Sequence, residues 1–204
     1  MSEKTDEARA WNRHGIAHAR AGKFDEAAAC FRWALALHPN YAEAYNNLGN
    51  VYSSRGKLAD AVASYEQAVR LRPDNATFHN NLGDVFRLQG RLDDAVTCCQ
   101  RAVELQHNLA EALNNLGTAL VGQGRFAEAA SCCQKAVSLA PTLAEAHNNL
   151  GCAFQSMGKP QDAETCFREA VRLRPGGLKP RRISRPRFRF AREHSQAIAG
   201  GLAG

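Results

Sequence analysis

The sequence predicts an all-α protein, a solenoid of five helix–turn–helix units. Three observations predict it. The tetrapeptide Asn-Asn-Leu-Gly occurs four times, starting at Asn46, Asn80, Asn114 and Asn148, each copy 34 residues after the last. Aligned on Leu-Gly, the chain divides into units 8–41, 42–75, 76–109, 110–143 and 144–177, with glycine at positions 8 and 15 of every unit. Within the first half of each unit, positions 4, 7, 8 and 11 follow the i, i+3, i+4, i+7 spacing of one helix face. A fixed period of this length marks stacked units, none of which can bury its apolar face alone.

Each element follows from its residues. The first helix carries the stripe Tyr45, Leu48, Gly49, Tyr52 in the second unit, with equivalents in the others. Glycine at position 8 lets a second helix approach closely. Glycine at position 15 (Gly22, Gly56, Gly90, Gly124, Gly158) can take positive φ and end the first helix. Alanine is invariant at positions 20 and 27, where the second helix needs small contacts on the first. Proline at position 32 (Pro39, Pro73, Pro141, Pro175, with His107 in the third unit) is expected to stop the second helix, because it cannot donate the backbone bond.

The pattern W-x2-L-G-x2-Y, then A-x3-F, then P resembles the tetratricopeptide repeat, and the resemblance covers residues 8–177. It implies a right-handed superhelical solenoid whose first helices line a concave groove. Residues 1–7 read as an N-terminal extension and 178–204 as a basic, disordered tail. His14 and His18 in the first unit, and cysteine at position 24 in the third and fourth, depart from the pattern without breaking it.

Composition excludes several classes. The net charge of +6 belongs to the tail: residues 1–177 carry 19 basic and 19 acidic residues, whereas 178–204 carry seven basic residues against Glu193. The body therefore has no bias toward nucleic acid, and only the tail offers a nucleic-acid or membrane contact. No apolar run suits a membrane span and no secretory signal opens the chain, so the expected compartment is the cytoplasm. Of seven cysteines, Cys30, Cys98, Cys132 and Cys166 share position 23, Cys99 and Cys133 share position 24, and Cys152 lies elsewhere. They have no zinc-ligand spacing and read as small fillers of helix seams. No phosphate loop or nucleophile–base constellation appears, so no catalysis, cofactor, metal or small-molecule substrate is expected.

The paired asparagines need a separate reason, because asparagine is a mediocre helix former. On a helical wheel, positions 2, 6, 9 and 13 lie opposite the apolar stripe, toward the open groove. Position 6 is Arg13, Asn47, Asn81, Asn115 and Asn149; position 5 is Asn12, Asn46, Asn80, Asn114 and Asn148. An amide offers an acceptor and two donors, as a peptide backbone does. Units stepping by about 10 Å would meet roughly every third residue of an extended guest. The competing reading is bonding between helices, copied by duplication. Position 6 favours the guest and position 5, nearer the preceding unit, favours the structural bond. Asn50 and Asp84 at position 9, and Glu43, Glu111 and Glu145 at position 2, would line the same groove and, with Arg13, bias the charge of the guest.

The phrases "YAEAYNNLGN", "LAEALNNLGT" and "LAEAHNNLGC" are similar to the repeat domain of protein O-GlcNAc transferase, whose asparagine ladder holds substrate peptides. The two-carboxylate clamp of other family members needs cations where this chain has Asn12, Thr77 and Asn81, and is not met. The expectation is a non-catalytic scaffold that binds extended segments of other proteins. The alternatives are the substrate-recognition part of an O-GlcNAc transferase-like enzyme with its catalytic domain elsewhere, and a nucleic-acid or membrane protein acting through its tail. The tail also reads as the truncated or frame-shifted end of a longer repeat protein. An uncapped last unit leaves end-to-end self-association open.

Overall fold

The computed structural model describes residues 3–175, and the basic tail lies outside them. Ten helices alternate along the described chain: α1 (Glu3–Arg20), α2 (Phe24–Leu37), α3 (Ala42–Ser54), α4 (Leu58–Leu71), α5 (Ala76–Leu88), α6 (Leu92–Leu105), α7 (Ala110–Gly122), α8 (Phe126–Leu139), α9 (Ala144–Ser156) and α10 (Pro160–Leu173). Successive pairs make the helix–turn–helix units. α1 starts at Glu3, so the residues just ahead of the first unit continue its first helix.

The turn inside each unit is a Schellman motif. Gly22 N–H bonds Ala19 carbonyl at 3.0 Å and Lys23 N–H bonds His18 carbonyl at 2.9 Å; the other four units repeat both bonds. All five turn glycines have φ between 71° and 78°. The glycine at position 8 is needed for a different reason: a Cβ on Gly49 would lie 2.6 Å from the Tyr65 ring, and one on Gly83 2.5 Å from Cys99 Sγ. The ring in one unit and the thiol in another therefore fill the same notch.

Proline is not required to end a second helix. α6, whose unit carries His107 at position 32, ends at Leu105, level with the four proline-bearing helices. In every unit the N–H of position 31 closes onto the carbonyl of the position-27 alanine, as Gln106 does onto Ala102. The core runs along both sides of the second helices, where Ala27, Ala61, Ala95 and Ala129 are fully buried.

First helices touch one another, α1 with α3, α3 with α5, α5 with α7 and α7 with α9, whereas among the described residues no second helix touches another second helix. The layer with the closer spacing is the inside of the curve. The faces of α1, α3, α5, α7 and α9 turned away from the second helices form that inner surface. No helix among the described residues is long and apolar enough to cross a membrane.

Candidate functional site: an amide ladder on the inner face

The asparagine pairs join into one chain of side-chain hydrogen bonds across every seam. Asn47 Nδ2 donates to Asn12 Oδ1 at 3.0 Å, Asn81 to Asn46 at 2.9 Å, Asn115 to Asn80 at 3.0 Å and Asn149 to Asn114 at 2.8 Å. Each rung runs the same way. The sixth position gives, and the fifth position of the preceding unit takes.

This corrects the sequence expectation on one point. Position 5 was expected beside the preceding unit, yet each fifth-position oxygen serves the following unit. The cause is depth. Asn46, Asn80 and Asn114 are only 8%, 4% and 4% exposed, and an amide so deep needs a partner. The half-exposed position-6 amides reach back to supply it. Position 6 thus has a structural duty as well as an inner-face location.

A second bond appears in two rungs. Asn149 Nδ2 also donates to Thr118 Oγ1 at 2.8 Å, and Asn81 Nδ2 lies 3.5 Å from Asn50 Oδ1. Position 9 of the preceding unit decides this. For Asn47 that residue is Ile16, which has no acceptor, and for Asn115 it is Asp84, whose carboxylate turns to Arg87 at 2.6 Å. Asn50 is further held by the Tyr65 hydroxyl, which donates to its Oδ1 at 2.7 Å. Burial, and then the Asp84 charge, raise the Tyr65 phenol above its ordinary value, so it remains a donor. Sequence reasoning missed Thr118 and Tyr65. For Thr118 the signal was the 31-residue spacing between positions 9 and 6 of neighbouring units, whereas Tyr65 meets Asn50 within one unit.

The donors of the ladder are therefore partly spent, while the Oδ1 atoms of Asn47, Asn81, Asn115 and Asn149 accept no hydrogen bond among the described residues. The charged candidates divide. Glu43 pairs with Arg72 at 2.8 Å and Glu145 with Arg174 at 3.3 Å, each within its own unit. Glu111 is exposed, and its unit offers Ala140 where the others offer arginine. Arg13 is exposed at the start of the ladder. The cysteines behave as fillers: burial, the largest cause in each, raises the thiols of Cys99 and Cys133 to about 12 and that of Cys98 to about 11.

Residues 2–183 match the family model of the cilia and flagella-associated protein 70 C-terminal domain, a tetratricopeptide-repeat family. The chain belongs to that family. Solved structures share its fold. The tetratricopeptide chain superposes on MamA with TM-score 0.69, at 26% identity over 78% of this chain and 93% of that one. It superposes on YrrB, described as a tetratricopeptide protein with an unusual peptide-binding site, with TM-score 0.65, at 26% identity over 82% of this chain and 86% of that one. Pseudomonas aeruginosa PilF shares the fold, with TM-score 0.77 at 19% identity over 87% of this chain and 80% of that one. A comparison with curated protein sequences finds no match.

Proposed function

We propose that this tetratricopeptide chain is a non-catalytic scaffold that holds extended segments of other proteins along its inner face. The observation that carries this reading is the row of unspent oxygens on Asn47, Asn81, Asn115 and Asn149. Each amide is oriented by a bond to the preceding unit, which lowers the ordering cost of gripping a guest. One oxygen per unit, at about 10 Å steps, suits the N–H groups of every third residue of an extended strand. Arg13, Asn50, Asp84, Glu43, Glu111 and Glu145 flank the row and would tune guest charge. The peptide-binding site named for YrrB supports peptide as the kind of guest. The family's name supports ciliated or flagellated cells as the place to seek partners.

The test uses the two ladder residues that make a single rung bond. Asn47→Ala/Asn115→Ala removes two of the four oxygens at the least structural cost. Affinity capture from a ciliated-cell extract, with melting temperature and helicity measured alongside, should show partners reduced at least tenfold while the fold is kept. Unchanged capture by a folded variant would sink the reading and leave the ladder a purely structural device.

A further inference from the structure

The two ends of the solenoid carry the two halves of a seam. At the C-terminal end, Asn148 is only 9% exposed, and its amide makes no hydrogen bond among the described residues. Its four equivalents each accept a bond from the unit that follows. At the N-terminal end, Arg13 holds the donor's place in the ladder, exposed and with no unit ahead of it among the described residues. Among the described residues, one end has an acceptor lacking its donor, and the other has a donor lacking its acceptor.

The seam beside the ladder shows the same division. Inner seams are antiparallel. Gln123 bonds Asp93 at 2.7 Å near one end of such a seam, and His147 meets the Pro141 carbonyl at 2.9 Å at the other end. This register sets position 21 of one unit against position 11 of the next. Position 21 is Ala28, Val62, Val96 or Ala130, all buried, facing Tyr52, Phe86, Leu120 or Phe154. At the two ends of the described solenoid these positions hold Glu164 and His18. Where every inner seam pairs apolar with apolar, the ends pair an acid with a base. The rest of the open α10 face keeps the inner pattern, with Phe167 half-buried and Val171 54% exposed.

We propose that a second copy of this chain stacks head-to-tail, α1 of one copy on α10 of the other. Arg13 then donates to Asn148 of the second copy and continues the ladder, and His18 faces its Glu164. The contact uses different surfaces on the two copies, so it leaves a free end at each side and extends into a row. This assignment goes beyond the groove reading and stands without it.

The experiment is sedimentation velocity of the full chain from low to high micromolar concentration. The wild-type mass should rise above 22.2 kDa as concentration rises. Arg13→Glu blocks one end and Glu164→Lys the other; each alone should associate at least tenfold more weakly. Mixed together they should form a 1:1 pair that grows no further, because each supplies the intact end the other lacks. Both residues are exposed, and melting curves confirm the fold; should Glu164→Lys melt early, Glu164→Gln replaces it. A wild-type chain that stays monomeric throughout, whether its α10 face is bare or covered by its own residues 176–204, overturns the proposal. So does a mixture that associates no better than its components.

Discussion

The amide nitrogen of Asn115 lies 3.0 Å from the amide oxygen of Asn80, one unit away, and Asn80 is only 4% exposed. The bond joins a buried acceptor to a half-exposed donor. Removing the donor strands the buried oxygen, so Asn115→Ala should destabilise by about 1–2 kcal/mol, and Asn80→Ala by a similar or larger amount. The double-mutant cycle should give a coupling of roughly 0.5–1.5 kcal/mol by urea unfolding. A coupling of zero would mean that the rung contributes nothing to joining the units.

Two glycines seven residues apart should fail for different reasons. A methyl on Gly83 would meet Cys99 Sγ at 2.5 Å and the Ala95 carbonyl at 3.2 Å. A methyl on Gly90 meets nothing within 4 Å, but its φ is +78°. Gly83→Ala should cost about 1–3 kcal/mol through overpacking, and Gly90→Ala about 1–2 kcal/mol through backbone strain. Cys99→Ala should recover part of the first loss and none of the second. Equal recovery, measured by thermal melts of all the combinations, would refute the distinction.

Thiol chemistry should report the seams. With Cys99 and Cys133 raised to about 12 from 9.0, their thiolate fraction at pH 8 is roughly a thousandfold below that of a free thiol. Iodoacetamide should therefore label them last. The sign for stability follows from proton counting: above pH 9 the unfolded chain releases protons that the native chain keeps. Their contribution is fully present below pH 9 and is lost as pH rises toward 12. The melting temperature should fall over that window, and fall less when Cys98, Cys99, Cys132 and Cys133 are alanine. An identical slope in that variant would exclude the thiols as the cause.

Much of the fold was legible because period, glycine and alanine each report a local necessity. The turn glycines are the plainest case: a residue invariant at position 15 could be tied to positive φ before any coordinates. Proline misled for the same local reason. It is compatible with the end of a second helix, but α6 ends level with the others without it. The amide ladder was half legible. Repetition showed that Asn46 and Asn47 mattered, and a helical wheel gave their sector. It could not give the direction of the rung, because a wheel describes one helix and the bond lies between two. Thr118 was hidden likewise, since its bond to Asn149 exists only once two units are stacked, and Tyr65 because its bond to Asn50 joins the two helices of one unit. The tail readings fall on 178–204, outside the described residues.

The ladder has a consequence for how such a chain can change length. Every rung between units joins the same two residue types, whereas the mismatched choices, ring or thiol against glycine, are confined within a unit. Excising one interior stretch of 34 residues would bring an identical donor to an identical acceptor and restore the rung, while the position-9 neighbour beside it would change. An excision whose length is not a multiple of 34 residues would set asparagine against a different repeat position. The molecule tolerates editing in whole words only.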